Sequence, residues 1–313
     1  MTQSSITVTA AVCTYQRHER ALAAVGSLLR QTLSPKRFKV LVVDNDRAEA
    51  GKLAEMLLDL GRGPVRVNCV TEPVLGVSHA RNTALRACDS DVIAFLDDDA
   101  LADPPWLECL LGVFETNANG IGAVGGKVVG DWSLPRPKWL PDSLLGYLSL
   151  IDWSPERIEV SPPLWLAGTN IAYSAQYLRS IGGFRTDLGR KGSLLISNEE
   201  TEACSALRRK GQRVLYDPAA VVHHFIPAER LQQTWFRQRA FWQAVSDAFM
   251  YSNLQSAPEI PFRAIGRYGD ALQDRSLEAL FLGHENAELF GLQIEAIYQV
   301  ALAFMRGTMS WKR

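Results

Sequence analysis

The sequence lacks paired cysteine spacing. Its five cysteines, Cys13, Cys69, Cys88, Cys109 and Cys204, are odd in number and none stands in C-x-x-C spacing. This argues against a disulfide framework or a zinc knuckle and for a reducing compartment, so a cytoplasmic location is expected. Excess charge is also missing: 33 Lys and Arg against 34 Asp and Glu leave a net charge of −1. A globally basic nucleic-acid binder is thereby excluded, and no nucleic-acid partner is expected. No uninterrupted apolar run reaches the about 18 residues that point to a transmembrane helix. The nearest stretch, Leu292 to Met305, is broken by Glu295 and Gln299. The opening MTQSSITVTAAVC has no basic n-region and no long apolar core, so it does not read as a secretory signal. Internal repeats and low-complexity tracts are absent.

What is present is an ordinary globular composition, 47% hydrophobic and 21% charged over 313 residues. At about 150 residues per domain this predicts two domains, or one large α/β domain with an appendage. In the first half, short apolar runs alternate with helical patterns. Ile6–Val12, Phe38–Val43, Val65–Val70, Val92–Leu96 and Gly122–Val129 read as strands. Arg17–Gln31, Ala48–Leu60, Ser78–Ala87 and Pro104–Phe114 read as helices. Continuous apolar strands separated by helices predict a mostly parallel sheet covered on both faces. Prolines and tryptophans crowd Trp132–Trp165, which predicts an irregular loop. Order resumes with a strand over Leu164–Tyr173, a helix over Glu199–Lys210 and two short strands, Val214–Tyr216 and Val221–His223. Beyond Arg230 the pattern is helical, with a break around Pro258–Pro261.

Two glycine motifs are set aside. Gly120-Ile121-Gly122-Ala123-Val124-Gly125 fits G-x-G-x-x-G, but it follows a helix and enters a strand, the reverse of a dinucleotide fingerprint. Gly76-Val77-Ser78-His79-Ala80 is a poor nucleophile elbow, because Glu72–Leu75 separates it from the preceding strand and the last Gly is missing.

The strongest local signal is Phe95-Leu96-Asp97-Asp98-Asp99, three carboxylates at the end of an apolar strand. Ligands of open α/β sheets bind outside the carboxyl ends of the strands. Adjacent carboxylates raise one another's pKa unless a cation compensates, and a hard divalent ion is the natural choice. The alternative is a solvated acidic turn capping the next helix, a task that Asp103-Pro104 can already perform. Asp44 ends another apolar strand, and Thr14-Tyr15-Gln16-Arg17 ends the first. All fall on the same predicted rim. Tyr15 is either a packed strand-end aromatic or a surface on which a base stacks, with Arg17 near phosphate.

Taken together, Val12–Arg17, the strand ending at Asp44, Gly76–Asn82, Phe95–Asp99, Ala167-Gly168-Thr169-Asn170, Asn198–Glu202 and His223–Pro227 with Arg230 and Trp242 resemble the family 2 glycosyltransferases. The resemblance runs from about Ile6 to Val245. Cys13 stands where the family usually has Pro, and Glu199-Glu200 where it usually has Glu-Asp. The resemblance implies a GT-A type, mostly parallel nucleotide-sugar-binding sheet flanked by helices, spanning residues 1–229, with a helical region over 230–313. It implies inverting transfer of a sugar from a nucleotide-diphosphate sugar to an acceptor hydroxyl. A glycan or lipid-linked acceptor in surface glycan or glycolipid synthesis is expected, with uracil the favoured base.

Residue by residue, the resemblance implies that Thr14, Tyr15, Arg17 and Asp44 line the base pocket. Gly76 belongs to the nucleotide-sugar site, and Arg81 lies near the base or phosphates. Asp97 and Asp98 meet the ribose and metal side of the donor. Asp99, with Asp97 and His223, holds Mn²⁺ or Mg²⁺, His224 being the lesser choice. Trp165, Gly168, Thr169 and Asn170 lie beside donor sugar and acceptor. Glu200, with Glu199 as its neighbour, is the expected base. Glu200 shares a helical face with Ala203, Cys204 and Leu207 and is expected to point inward. Ser197-Asn198-Glu199-Glu200 also fits a capping box, and only the other motifs favour the base. A rival from another class is a non-catalytic nucleotide-sugar or glycan-binding module. A nucleotidyltransferase would want a Gly-rich loop after the first strand, and Thr14–Arg20 is not Gly-rich. The C-terminal helix and the Trp311-Lys312-Arg313 tail are expected to pack, with peripheral membrane contact as the alternative.

Overall fold

The computed structural model describes residues 6–49, 51–116, 120–252, 263–274, 276 and 278–310. The expected break around Pro258–Pro261 and the Trp311–Arg313 tail lie outside the described residues. Apolar runs build four strands, β1 (Val8–Thr14), β2 (Phe38–Asp44), β3 (Val67–Thr71) and β4 (Val92–Asp97). They are joined by α1 (His18–Leu28), α2 (Lys52–Leu57) and α3 (Val77–Ala87), and they pair in parallel in the order β3-β2-β1-β4.

Parallel strands need crossover helices, and those helices cover both sheet faces. The period-2 geometry of a strand then sends alternate residues to opposite cores. Val8, Ala10, Val12, Val40, Val42, Ala94 and Leu96 join Val25 and Leu28 of α1 and Leu107 and Leu110 of α4 (Trp106–Thr116). Ala11, Leu41, Val43, Ile93 and Phe95 face Ala80 and Ala84 of α3 and Ala203 and Leu207 of α6 (Glu199–Arg209). Burying one such aliphatic side chain contributes about 1.5–3 kcal/mol, and because both faces are packed a one-residue register slip would exchange the two sets and upset both cores at once.

Beyond β4 the same sheet turns antiparallel. Here lie β5 (Ala100–Ala102), β6 (Ile121–Trp132), β7 (Ile158–Glu159), β8 (Asn170–Ser174) and β9 (Arg213–Ile226), with α5 (Ala175–Ser180) following β8. The order continues β4-β8-β6-β9-β5, and β7 pairs with β9. The architecture is α/β with a C-terminal helical part, as the sequence predicts. Gly120 alone is the turn residue before β6; Ile121–Gly125, read with it as a glycine-rich turn, are already strand, with Ala123–Gly125 paired to β8. Glycine is required further along β6, since a Cβ on Gly126 would fall 1.9 Å from the Ala220 carbonyl oxygen.

Three boundaries differ from expectation. The two short strands around Val214 and Val221 are one 14-residue strand, β9, that runs through Pro218. Proline masks this in sequence because it cannot donate to a ladder; Asp217 accepts the Ala219 N–H instead, at 3.0 Å. The strand expected over Leu164–Tyr173 starts only at Asn170. The Asn170 N–H turns back to the Ala167 carbonyl at 3.0 Å. Within the Trp- and Pro-rich loop, a 3₁₀ turn forms at Asp142–Leu148.

The chain divides into two compact units. The first comprises residues 1–131, 149–186 and 199–225, and the second 132–148, 187–198 and 226–313. The second unit is built from α7 (Gln233–Tyr251), α8 (Arg263–Leu272) and α9 (Ala287–Ser310). Trp139 meets Phe236 and Phe290 edge-on at ring distances of 5.7 and 4.9 Å. Buried Asp247 accepts from Asn198 at 2.6 Å, Gln243 at 3.0 Å and Tyr298 at 2.6 Å. Ala287–Gly307 is long and apolar enough to cross a bilayer, yet Phe290, Ile294 and Leu302 of α9 are buried.

Candidate functional site

Strand register assembles a rim on the first unit. Thr14 stands opposite Asp44, and Cys13 opposite Asp97, so β1, β2 and β4 end together. Asp98 and Asp99 form the turn from β4 into β5 and are both buried. Thr14 donates its hydroxyl to Asp98 Oδ2 at 2.6 Å. Arg17 straddles the pair, with Nη2 at 2.7 Å from Asp98 Oδ1 and Nη1 at 2.7 Å from Asp99 Oδ2. Burial pushes the Asp98 carboxyl up to about 7, against the pull of Arg17 and with a smaller push from Asp99. Tyr15 is exposed at the rim.

The histidine beside Asp99 is His224, with Nε2 at 3.4 Å from Oδ1. His223, expected there, pairs instead with Asp103 at 3.0 Å. The cause is the β5–β9 register, which sets Ala100 against His224 and Leu101 against His223 and so turns alternate side chains to opposite faces. Among the described residues no three His, Cys, Asp or Glu side chains converge as a cage for a metal. The donor set is nonetheless hard oxygen, with buried Asp99 and the partly exposed Asp97. Carboxylate oxygens in that number suit a divalent ion that completes its shell with waters and substrate phosphates.

Asp44 is buried. Its Oδ1 accepts the Asp46 N–H at 3.0 Å, and its Oδ2 is enclosed with no hydrogen-bond partner among the described residues. His18 Nε2 lies 3.9 Å from that oxygen. Burial raises the Asp44 pKa; the Asp46 N–H and His18 oppose it. The neighbouring Asn45 organises the loop that leads to Gly76. Its amide donates to the Glu72 and Val74 carbonyls, each at 2.8 Å, and accepts the Gly76 N–H at 2.8 Å. Gly76 has φ +143°, which only glycine adopts readily, at the start of α3. Asn45, Glu72, His18 and His224 are site residues that sequence reasoning leaves out or ranks low. The signal for Asn45 lies in Asp44-Asn45-Asp46, but its partners are 27 or more residues away.

Arg81, expected near the base or phosphates, is engaged by carboxylates. Its guanidinium is buried, with Nη1 at 2.9 Å from Glu199 Oε1 and Nη2 at 3.2 Å from Asp97 Oδ1. Nη2 also donates to the Gly168 carbonyl at 3.1 Å. Those carboxylates hold the Arg81 pKa above its ordinary value although burial opposes it. Gly168 makes the fit possible, because a Cβ there would lie 2.6 Å from Nη2. Thr169 is buried, its hydroxyl without a partner among the described residues. Trp165 packs edge-on against Trp153 at 6.1 Å. Asn170, expected beside the sugar, is wholly buried and serves the sheet. Its Oδ1 accepts from Trp106 Nε1 at 2.8 Å, and its Nδ2 donates to the Lys127 and Ala220 carbonyls at 2.9 and 2.8 Å.

Glu199 and Glu200 open α6. Glu199 is anchored by Arg81, while Glu200 Oε2 is enclosed with no hydrogen-bond partner among the described residues. Burial, aided by the adjacent Glu199 charge and opposed by Arg81, pushes the Glu200 carboxyl up to about 8. A capping box would bring Glu200 back to the Ser197 N–H, but that N–H donates to Ser246 Oγ at 3.0 Å.

A family model described as "Glycosyl transferase family 2" matches residues 9–179, which hold all but the first residue of the parallel strands β1–β4. The chain belongs to glycosyl transferase family 2. This glycosyltransferase is 32% identical over 247 residues to the glucosyl-dolichyl phosphate glucuronosyltransferase of Haloferax volcanii, covering 78% of this chain and 77% of that one. It is 26% identical over 255 residues to the succinoglycan biosynthesis protein ExoM of Rhizobium meliloti, covering 77% and 74%. Among solved structures, the mannosyltransferase PcManGT from Pyrobaculum calidifontis, in complex with GDP-Man and Mn²⁺, superposes with a TM-score of 0.62 at 19% identity. That match covers 99% of this chain and 89% of the other. The fold is therefore of the GT-A type. Two of these three proteins are transferases by name and the third is a biosynthesis protein, and nothing among them favours a binding module without catalysis.

Proposed function

We propose that this family 2 glycosyltransferase moves a sugar, with inversion, from a nucleoside-diphosphate sugar to an acceptor hydroxyl, and that Glu200 is its base. The observation that carries the reading is the Arg81 bridge, which joins Asp97 to Glu199 and so holds Glu200 beside the carboxylate rim. A base with proton affinity near the working pH is the effective one, and the Glu200 carboxyl lies in that range. Asp44 accepts a ring N–H of the base, which Tyr15 stacks upon and Thr14 flanks. Gly76 lets the backbone approach the nucleotide closely. Asp97 meets the ribose, and Trp165, Gly168 and Thr169 border the sugar and acceptor. Asp99 and Asp97, with His224 beside Asp99, would hold Mn²⁺ or Mg²⁺, which would supply positive charge to offset that developing on the diphosphate leaving group.

The acceptor we propose is lipid-linked or glycan in nature. The Haloferax relative's name includes a dolichyl phosphate and the Rhizobium relative's name a polysaccharide. The enzyme works in the cytoplasm at a membrane surface, a reading supported by exposed Phe281 and Phe304 in the second unit. Uracil is the proposed base.

Thermal unfolding with UDP tests this. Stabilisation is expected only with Mn²⁺ present, by about 2.7 kcal/mol at a hundred times the dissociation constant. Equal stabilisation in EDTA would remove the metal from the scheme, and a stronger response to GDP would change the base. Undiminished UDP binding by Asp44→Ala would show the pocket to be elsewhere.

A further inference from the structure

Two adjacent buried carboxylates are costly unless a cation faces them. At Asp98 and Asp99 that cation is Arg17, with one guanidinium nitrogen at 2.7 Å from each residue. The carboxylates are almost fully enclosed, whereas the Arg17 side chain is 45% exposed. The guanidinium thus closes an acidic seat with its outer side in water. Its attachment is suited to movement. Arg17 lies at the N-terminus of α1, but its side chain makes no cap hydrogen bond, so lifting it leaves the helix intact. The preceding Gln16 has φ +56°, a left-handed conformation that costs a residue with a Cβ. An oxygen lone pair directed at a guanidinium is not available to a metal.

We infer that Arg17 is the resident cation of the Asp98–Asp99 seat and that the donor's divalent ion reaches Asp99 by displacing the guanidinium from that carboxylate. The inference rests on the reading that Asp99 holds that ion. Once displaced, the guanidinium stays at the rim, tethered at the end of β1, where its charge can meet the diphosphate. Arg17 is then a positioning residue. It keeps the seat compensated before the donor arrives and lowers the affinity for metal alone, so that metal and nucleotide arrive together.

The test uses the full chain, with Mn²⁺ alone as the probe. Binding is followed through the electron paramagnetic resonance signal of free Mn²⁺, and melting in EDTA and in Mn²⁺. Arg17→Met should melt below the wild type in EDTA and be restored by Mn²⁺. If the seat is open in about a tenth of wild-type molecules or fewer, Arg17→Met should bind Mn²⁺ roughly tenfold more tightly or better. Arg17→Lys keeps the charge without the two-pronged contact and should fall between the two, which guards against failure of Arg17→Met to fold. Mn²⁺ affinity equal to or weaker than wild type in both variants would overturn the inference. If Asp99→Asn abolishes binding while the Arg17 variants leave it unchanged, the inference fails and the metal reading stands. Absence of Mn²⁺ binding by every form, with UDP added, would sink both.

Discussion

Nη1 of Arg81 lies 2.9 Å from Oε1 of Glu199 although 118 residues separate the two in the chain. Through the other arm of the same guanidinium, Glu199 is tied to Asp97 and to the Gly168 carbonyl. The first turn of α6 is therefore held against the end of β4 by a single buried cation. Glu200 inherits its position from that tie, and this distinguishes the roles of the two adjacent glutamates.

Glu200→Gln keeps the side-chain shape but cannot accept a proton. Sugar transfer should fall by about 10²–10⁴-fold, with nucleotide binding retained. Glu199→Ala should act chiefly on stability, because it leaves a buried guanidinium short of one partner, at a cost of about 3–5 kcal/mol. A Glu200→Gln enzyme with the wild-type transfer rate would exclude Glu200 as the base. A larger rate loss in Glu199→Gln than in Glu200→Gln would move the role to its neighbour.

The pH dependence has a definite sign. The Glu200 carboxyl is raised to about 8 in the fold, from about 4.3 in an unfolded chain. Its contribution to stability is fully present below the unfolded value and is lost as pH rises through the folded one. Glu200→Gln has no such loss, so the variant's melting temperature should gain on the wild type between about pH 5 and about pH 9. Wild-type transfer should increase over the upper part of that range as the base form fills. Melting curves that keep a constant offset at every pH would contradict the burial assigned to this carboxyl.

Gly168→Ala tests the space beneath Arg81. The new Cβ would stand 2.6 Å from Nη2 and 2.9 Å from Nη1, too close for either atom to stay. Overpacking of this kind costs about 1–3 kcal/mol, and displacement of the guanidinium should lower transfer as well. Gly112→Ala is the matched control. Gly112 lies inside α4, and a Cβ added there would meet nothing within 4 Å, so that change should stabilise by about 0.5–1 kcal/mol. Equal urea midpoints for the two variants would show that Gly168 is not constrained by Arg81.

Much of the rim was legible in the sequence because strand ends announce themselves. Asp44 and Asp97 each terminate an apolar run, and parallel pairing brings such ends together. Partner choice was less legible, since it depends on residues far along the chain. Whether His223 or His224 meets Asp99 is a matter of phase in β9, set by its register with β5, and β5 is too short to read from three residues. The Arg81–Glu199 pair was not legible, because nothing near Arg81 in sequence announces Glu199. Pro218 concealed the continuity of β9.

The antiparallel ladder between β6 and β8 extends only from Tyr173 to Ile171, and at the next position the Asn170 side chain continues the bonding to Lys127 and Ala220. For anyone wishing to retarget the enzyme to another sugar, this removes one obvious position from the library. An aspartate at 170 would turn an acceptor toward two carbonyls, and a leucine would remove the bond to each of them together with the acceptor of the Trp106 indole. Diversity belongs instead at Thr169 and Trp165, which we propose border the sugar and whose side chains carry none of these strand-bridging bonds.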